Sequence, residues 1–475
     1  MRIAGLSLAI LIAWPVYAAE PHLPTEDPVY RRLERLAALG VIHDGLLATR
    51  PLTREALIAM LREAEANSEA RSDTWIASDI RAIDARAASL GSLDDVMFDG
   101  RFVLGQGPPV PVGLERFGDR FADGGNGRLG VELGGSLSGW AAWGYHPEVR
   151  YPAGTTDDLD VATRSAYVEL VAGGLAVTVG RESLWWGPGF RGTLLLTDYA
   201  APFDLVRVET NRPWRLKWIG PMSVHLFVTR LEEDRQAIPR PYLAGLRLAF
   251  RPVSQLEFGL SRTAMFGGEG RPVTADVVWD VLRASGENNA ENPGNQIAGF
   301  DVTARIPWCR QPIALYLEWG GEDEASGTPS HPAVVAGVYL PRLAGADRWE
   351  LRAEYADNAF ADVPGVWYQH SIYQSGYTYH GIVIGHPMGT DARMISAEIE
   401  YRITPDWSAD ALYDGVQSGV FGPGETSARS GGARIRYDSG TRRMTMEYRY
   451  SRLEEPLGPT HDHGHVVNLS VESAW

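Results

Sequence analysis

Apolar and polar side chains alternate along the C-terminal end of the chain, and this pattern strongly limits its fold. In the segment Met444–Tyr450, methionines and tyrosines take every second position, with polar residues between them. After a loop, the segment Val467–Trp475 alternates again and ends on Trp475. Period-two alternation indicates β-strands with one apolar and one polar face. A last strand that ends on an aromatic residue is typical of a membrane barrel, with its apolar face toward lipid and its polar face toward a wet lumen.

The first residues of the sequence predict export from the cytoplasm. Arg2 is followed by the apolar run Ile3–Val16 and then by the small residues Ala18 and Ala19. This arrangement predicts a secretory signal peptide over residues 1–18, which is too short to span a membrane. The rest of the sequence has no apolar run of the length that a transmembrane helix needs. Barrel strands give a much weaker hydropathy signal, so a membrane barrel is compatible with this observation.

Charge and composition narrow the possible functions. The net charge of −16 argues against nucleic acid as a partner. Cys309 is the one cysteine of the chain, so the exported protein is expected to form no internal disulfide. Glycine, tryptophan and tyrosine number 52, 15 and 19, as expected if turns and interfacial aromatic girdles recur. A large soluble β protein would share this composition.

Residues 20–91 show helical periodicity and predict a small bundle of three amphipathic helices. Thr53 and Asp73 are placed as N-caps of the second and third helices, and Gly40 and Gly91 end the first and third. Because this bundle precedes the barrel in the chain, we expect it to lie in the periplasm. The apolar faces comprise Tyr30, Leu33, Leu36 and Ala37, then Leu57, Met60, Leu61 and Ala64, then Trp75, Ile76, Ile80, Ile83 and Ala87.

From about Val96 onward the sequence alternates with a period of two. Including weaker candidates, we count about 18 strands over residues 96–475, an even number within the range of bacterial barrels. The sequence therefore predicts an all-β transmembrane barrel of about 18 antiparallel strands with a small N-terminal periplasmic α-helical bundle. The clearest predicted strands are Thr163–Val171, Gly174–Glu182, Met222–Arg230, Leu256–Arg262, Ile313–Trp319, Trp349–Ala356, Ala392–Tyr401 and Gly432–Asp438.

The lengths of the predicted connections support this interpretation. The last strand of a bacterial barrel ends in the periplasm, so the side of each connection can be counted back from Trp475. Short periplasmic turns and long external loops are typical of outer-membrane barrels. The short connections all fall in the periplasm: Trp218–Pro221, Arg251–Ser254, Ile306–Gln311, Pro341–Asp347 and Asp438–Arg443. The long connections all fall outside: Ser183–Asp204, Thr263–Gln296, Asp357–Asp391, Asp414–Ser430 and Leu453–Gly464.

Charged residues take the inward positions of the predicted strands. Both charge signs would therefore face one lumen, where some of them pair across strands. Such a lining is compatible with a plug and equally with a pathway. The inward charged residues are Glu350, Arg352, Glu354, Glu398, Glu400, Arg434, Arg436, Glu447 and Arg449.

The most unusual stretch is W-W-G-P-G at Trp185–Gly189, where a tight irregular turn follows two large aromatic residues. The sequence A-A-P-F follows at Ala200–Phe203, and L-E-F-G-L-S-R lies at Leu256–Arg262 with G-G-E-G-R after it. With these motifs and the order of helices before barrel, the chain resembles the Wzi family of outer-membrane capsule-assembly proteins. The layout covers essentially the whole mature chain, and the motifs lie in about its middle third.

The resemblance implies a barrel of about 18 strands in the outer membrane and a helical bundle in the periplasm. It implies a surface lectin that attaches capsular polysaccharide or exopolysaccharide to the cell during capsule assembly, without catalysis. The implied partners are that polysaccharide, outer-membrane lipid and a polysaccharide export complex. No sugar-contact residue is carried over from the family.

The chemistry of the loop Asp357–Asp391 also favours carbohydrate binding. Sugar rings offer apolar C–H faces that aromatic side chains cover, and their hydroxyls bind Tyr, Gln, His and Arg. Two structural alternatives stay open: these aromatics pack the loop into the lumen or girdle, and the tryptophan pair is a latch beside its turn. The candidate polysaccharide-binding residues are Trp367, Tyr368, His370, Tyr373, Tyr377, Tyr379 and His380 in this loop, with Trp185, Trp186 and Arg191 from the unusual stretch.

Three further features carry weaker signals. The tract H-D-H-G-H at His461–His465 contains metal-binding residue types, but its spacing matches no defined site. The acidic run Glu322–Glu324 is expected to be a solvated loop. No nucleophile motif supports an outer-membrane hydrolase. We expect no metal and no cofactor, and the alternative function is a porin for sugars or other small solutes, which needs an open lumen.

Overall fold

The strands expected from the alternating pattern form a closed barrel in the computed structural model. The predicted signal peptide 1–18, Gly91, Cys309, His461 and Trp475 lie outside the described residues. Among the described residues, no helix is long and apolar enough to cross a membrane. The structure describes residues 19–68, 73–90, 96–107, 110–152, 158–283, 294–308, 310–322, 324–325, 328–329, 331–359, 364–421, 424–455 and 462–474.

The barrel consists of 18 antiparallel strands, which confirms the predicted barrel of about 18 strands. The sixth strand continues as Trp214–Leu216, and both pieces pair with the seventh. The last strand pairs with the first and closes the ring. The bounds are β1 Met97–Gln106, β2 Gly124–Ser138, β3 Ala141–Tyr151, β4 Asp160–Ala172, β5 Leu175–Glu182, β6 Phe203–Thr210, β7 Gly220–Arg230, β8 Tyr242–Val253, β9 Leu256–Phe266, β10 Asn295–Ile306, β11 Ile313–Glu322, β12 Pro332–Leu340, β13 Trp349–Asp357, β14 Ala392–Arg402, β15 Trp407–Ser418, β16 Thr426–Asp438, β17 Arg442–Glu454 and β18 Asp462–Ala474.

Several strands run further toward the long loops than the sequence predicts. β15 continues to Ser418 and β16 begins at Thr426, so residues 414–430 are mostly strand and not the expected loop. The same holds for β17 and β18, which pair as far as Leu453 and Asp462. We call the barrel end with the short turns the turn end, and the barrel end with the long loops the loop end. Near the loop end the outward positions become polar and exposed, as at Gln417 and Arg429, while the inward Val416 packs against the core of the barrel mouth. The apolar-outward alternation is therefore lost while the backbone ladder continues.

The outer wall of the barrel is apolar, as a lipid-facing surface must be. Side chains such as Leu260, Ile395 and Met446 point outward and are half-exposed. Tryptophans cluster at the turn end, where Trp218 is 83% exposed. The inward positions of the same strands carry the predicted charged residues. The predicted inward and outward faces of these strands are therefore confirmed. This distribution places apolar groups toward lipid and charges toward the lumen.

Within the described residues before the barrel, the chain forms three helices: α1 Val29–Ala38, α2 Arg54–Ser68 and α3 Thr74–Ser89. Asp73 caps α3, because its carboxylate accepts hydrogen bonds from the Trp75 and Ile76 N–H groups at 2.8 and 3.3 Å. The predicted apolar faces form one shared core with one exception. Trp75 lies half-buried outside that core, with the Arg402 guanidinium 5.0 Å from its ring. Residues 19–90, as far as the structure describes them, are called the helical domain below.

The helical domain docks into the turn end of the barrel through ion pairs. Arg31 of α1 binds Glu398 of β14, and Arg35 Nε lies 2.8 Å from Glu350 of β13. The carboxylate of Asp79 in α3 meets three arginines, at 2.8 Å for Arg32, 2.6 Å for Arg35 and 2.8 Å for Arg402. Some inward charges of the wall are thus paired with the helical domain, and others pair with one another across strands, as Arg434 does with Asp410.

A segment of the helical domain extends deep into the lumen. The ring nitrogens of His22 lie 2.7 Å from Glu169 and 2.5 Å from Glu182, both on the barrel wall. Burial lowers the pKa of His22, but these carboxylates outweigh it and raise the pKa to about 10. Two cavities between this domain and the wall measure about 60 and 70 Å³, room for a few water molecules. Larger and more open clefts of about 680 and 550 Å³ lie at the turn end, between the helices and the turns of the wall. The described residues of the helical domain therefore occupy much of the lumen.

We expect the purified protein to show no steady single-channel conductance in a planar bilayer. The physical reason is that ion pairs and packed side chains occupy the lumen, so ions have no continuous aqueous path. A steady open level in most insertions would contradict this expectation and would favour a porin.

Candidate functional site

Two long loops fold inward at the loop end and form an apolar core inside the barrel mouth. The first loop follows β5 and contains the W-W-G-P-G turn, and the second follows β13 and is described over residues 364–391. Their aromatic and aliphatic side chains pack together, and inward residues of the wall such as Phe227 and Met265 complete the core. We call these segments the turn loop and the aromatic loop.

The turn loop is held by two buried carboxylates of the wall. Glu318 of β11 accepts hydrogen bonds from the N–H groups of Gly189 at 3.3 Å and Leu194 at 2.9 Å. Glu354 of β13 accepts from the N–H groups of Phe190 at 2.7 Å and Arg191 at 3.1 Å. Four backbone donors of the loop are therefore satisfied by wall side chains, which fixes its position.

Two positions of this turn require glycine because neighbouring atoms leave no room for a Cβ. Gly187 has φ +142°, a region that side chains other than glycine rarely adopt. A Cβ there would lie 2.3 Å from Glu318 Oε1, and at Gly189 it would lie 1.9 Å from the Gly192 carbonyl oxygen. The turn can approach the carboxylates only because these positions lack side chains.

Tyr368 joins the two loops. Its hydroxyl donates to the Leu194 carbonyl at 2.7 Å and accepts from the His386 N–H at 2.9 Å. Its own N–H donates to Glu322 Oε2 at 2.7 Å. Burial raises the pKa of the Tyr368 hydroxyl well above its usual value, so the hydroxyl stays a donor. Glu322 is 2% exposed, which corrects the expectation that Glu322–Glu324 is a solvated loop; Asp323 lies outside the described residues.

Hydrogen bonds from neighbouring loops and from the wall hold the aromatic loop in place. The Arg235 guanidinium donates to the carbonyls of Gly376 and Thr378, both at 2.6 Å. The Tyr373 hydroxyl donates to the Gly267 carbonyl at 3.1 Å, and the Tyr377 hydroxyl to Thr263 Oγ1 at 3.0 Å. The loop is therefore a bonded part of the barrel mouth.

Most of the predicted site residues are buried, and all of the buried ones except Trp185 belong to this core. These buried side chains lie below the surface of the barrel mouth, in agreement with the structural alternatives left open by the sequence. They are Trp185, Trp186, Trp367, Tyr368, Tyr373, Tyr377 and Tyr379.

The other three predicted residues are more accessible. Arg191 is partly buried and its Nε donates to Asp414 Oδ1 at 3.0 Å. His370 is partly exposed, and its Nδ1 accepts from the N–H groups of Ile372 and Tyr373. His380 is exposed, with φ +49°, and its ring lies 4.3 Å from that of Tyr379.

Exposed polar side chains cover the core on the outside. Gln369, Gln374 and His380 are exposed on the aromatic loop, and Arg120 lies beside them with a guanidinium nitrogen 3.5 Å from the Gly381 carbonyl oxygen. We call these four residues the exposed set. The prediction missed Gln369, Gln374 and Arg120, although both glutamines interrupt the run of aromatics and could have been selected for that reason.

The described histidines of the H-D-H-G-H tract do not converge on a metal site. His463 and His465 are exposed on β18, and their Nδ1 atoms lie 2.6 and 2.9 Å from the hydroxyls of Tyr450 and Tyr448. Metal-compatible clusters occur elsewhere in the lumen, for example His22 with Glu169 and Glu209. Arg207 already lies within that cluster, 3.2 Å from the His22 ring, so a cation is in place.

Comparisons with known proteins agree with this architecture. Residues 111–464 match the family model for capsule assembly protein Wzi. Over 180 residues the chain is 33% identical to an uncharacterized 55.8 kDa protein in the cps region of Klebsiella pneumoniae, covering 36% of this chain and 34% of that protein. The match therefore spans about a third of that relative's length.

A solved structure shares the fold. It is Wzi of Escherichia coli, an outer membrane protein involved in group 1 capsule assembly and a carbohydrate-binding β-barrel. The TM-score is 0.76 at 22% identity, over 94% of this chain and 99% of that one. Since the family model matches most of the sequence, this chain belongs to the Wzi family of capsule assembly proteins.

Proposed function

We propose that the protein is an outer-membrane surface lectin that attaches capsular polysaccharide or exopolysaccharide to the cell during capsule assembly. Membership of the Wzi family supports this function, as does the apolar wall that fits a bilayer. With the barrel in the outer membrane, the loop end would face the medium. The helical domain would then face the periplasm, where a polysaccharide export complex would meet it. The filled lumen disfavours the alternative, a porin for sugars or other small solutes.

The observation that carries the proposal is the exposed set on its rigid aromatic base. Amides, imidazole and guanidinium groups are suitable partners for sugar hydroxyls. Because the base is bonded to the wall, binding orders few side chains and costs little conformational entropy. Of the residues predicted from the sequence, we assign polymer contact to His370 and His380, which are the accessible ones of the loop, and a supporting role to the buried aromatics. A repeating polymer can bind many copies of the protein, which offsets a weak single site.

The test is polymer retention in a deletion strain that expresses variants. In the triple variant Gln369→Ala, Gln374→Ala, His380→Ala, we expect polymer to be made but shed into the medium. Each lost hydrogen bond costs about 1 kcal/mol, so three weaken a single site by roughly two orders of magnitude. Cell-bound and released polymer are measured separately.

The matched control is Asp158→Ala with Glu425→Ala, two exposed acidic residues on other loops. Retention by the triple variant at the control level would show that the aromatic loop is not the polymer site. Loss of synthesis itself would indicate an export role through the helical domain.

A further inference from the structure

One short segment of the helical domain lies against the turn loop, deep inside the barrel. Thr49 and Arg50 pair antiparallel with Trp186 and Trp185. The Gly187 N–H donates to the Ala48 carbonyl at 2.8 Å. A two-stranded connection therefore joins a part that enters from the turn end to a loop that enters from the loop end.

Arg50 connects this segment to α1 and to the residues that precede α1. Its guanidinium donates to Glu34 Oε1 at 2.7 Å and to the Thr25 carbonyl at 3.1 Å. It also lies 4.2 Å from the centre of the Tyr30 ring and 5.4 Å from that of Trp185. The side chain is thus in contact with the helical domain on one side and with the turn loop on the other.

The connection continues outward to the aromatic loop. The Trp186 N–H donates to the Leu196 carbonyl at 3.1 Å. The residue after Leu196, Thr197, donates through its N–H to the Ile384 carbonyl at 2.9 Å and through its hydroxyl to the Gly385 carbonyl at 2.8 Å. Hydrogen bonds therefore run without a break from α1 to the loop that carries Gln369, Gln374 and His380.

We propose that Arg50 is a positioning residue, and that residues 48–50 of the helical domain set the position of the two loops at the opposite end of the barrel. The surface site and the helical domain are thereby coupled. Coupling between binding sites is reciprocal, so a partner that shifts the helical domain changes polymer affinity, and polymer changes the affinity for that partner. This last consequence rests on the proposed function; the positioning of the loops does not.

The experiment is hydrogen–deuterium exchange of the full-length protein in detergent, followed in peptides that cover residues 187–197 and 383–391. We expect Arg50→Ala to accelerate exchange in both peptides by about 10-fold or more, as expected when roughly 1.4 kcal/mol of local stability is lost. Arg50→Lys retains a cation near Glu34 and is expected to restore protection in part. Comparable heat-modifiability of all variants on gels shows that the barrels are folded.

The matched control is Arg215→Ala. Arg215 also bridges barrel and helical domain, through Asp44, but it is exposed and distant in sequence from the segment. Unchanged exchange in Arg50→Ala, or equal acceleration in Arg215→Ala, would overturn the proposal. Accelerated exchange specific to Arg50→Ala supports it. If polymer retention is then unchanged, the positioning stands and the assignment of the polymer site to these loops fails.

Discussion

Replacing Glu354 by alanine is expected to free the turn loop and, with it, the surface above. The substitution removes the acceptor for the Phe190 and Arg191 N–H groups and for the Tyr316 hydroxyl, which donates to Glu354 at 2.8 Å. Each buried donor left without a partner costs about 1–3 kcal/mol. A loss of roughly 3–5 kcal/mol would accelerate amide exchange in residues 185–196 by about two to four orders of magnitude.

Glu354→Gln is the informative comparison, because an amide oxygen still accepts a hydrogen bond in the same place. We expect exchange in Glu354→Gln to lie between wild type and Glu354→Ala. Glu425→Ala, an exposed change on another loop, should match wild type. If Glu354→Ala exchanges at the wild-type rate, the carboxylate does not hold the loop.

Replacing Asp79 by alanine is expected to release the helical domain from the barrel. The substitution leaves Arg32, Arg35 and Arg402 facing one another without their shared carboxylate, in a buried site. Removing one partner of a buried ion pair costs about 3–5 kcal/mol. Limited proteolysis of the helical domain should accelerate by about 100-fold or more, because cleavage follows the open fraction. Asp84→Ala, an exposed change on the same helix, is the control.

The same carboxylate predicts how docking depends on pH. Burial alone would raise the pKa of Asp79, but Arg402, Arg35 and Arg32 outweigh it and hold the pKa well below the usual range. A carboxyl whose pKa is lower in the folded state stabilises that state above the unfolded pKa of about 3.9, and the stabilisation is lost as pH falls toward the folded value. Proteolysis should thus be constant between about pH 5 and 8 and accelerate only in strong acid; acceleration near neutrality would contradict the assignment.

The strands and their faces were predictable because the signal is local. Ile395 and Glu398 differ in direction by the pleat alone, and the pleat is visible as alternation in any few residues. The caps of the helices are equally local, as Asp73 shows. The strand extensions beyond Asp414 and Leu453 were not predictable, since polar outward positions such as Gln417 and an apolar inward position such as Val416 remove the apolar-outward alternation there.

The inward fold of the aromatic loop was not predictable for a different reason. The partners that bury Tyr368 include Leu194, which is 174 residues away, and Glu322 on a strand end. A run of tyrosines and tryptophans has the same composition whether it faces a sugar or a wall carboxylate. Only the three-dimensional structure shows that most of these side chains are buried, because composition alone does not reveal which groups they face.

The burial of His22 has a consequence for biogenesis. Glu169 and Glu182 lie on the neighbouring strands β4 and β5, and His22, from the part of the chain that is made first, pairs with both of them. The ring of strands is completed only by the part that is made last, when β18 meets β1. In a barrel that closes without His22, Arg207 would remain beside Glu182, but the two neighbouring carboxylates would lose their shared partner, which disfavours the ionisation of both. The contacts of His22 therefore stabilise the filled barrel relative to an unfilled one.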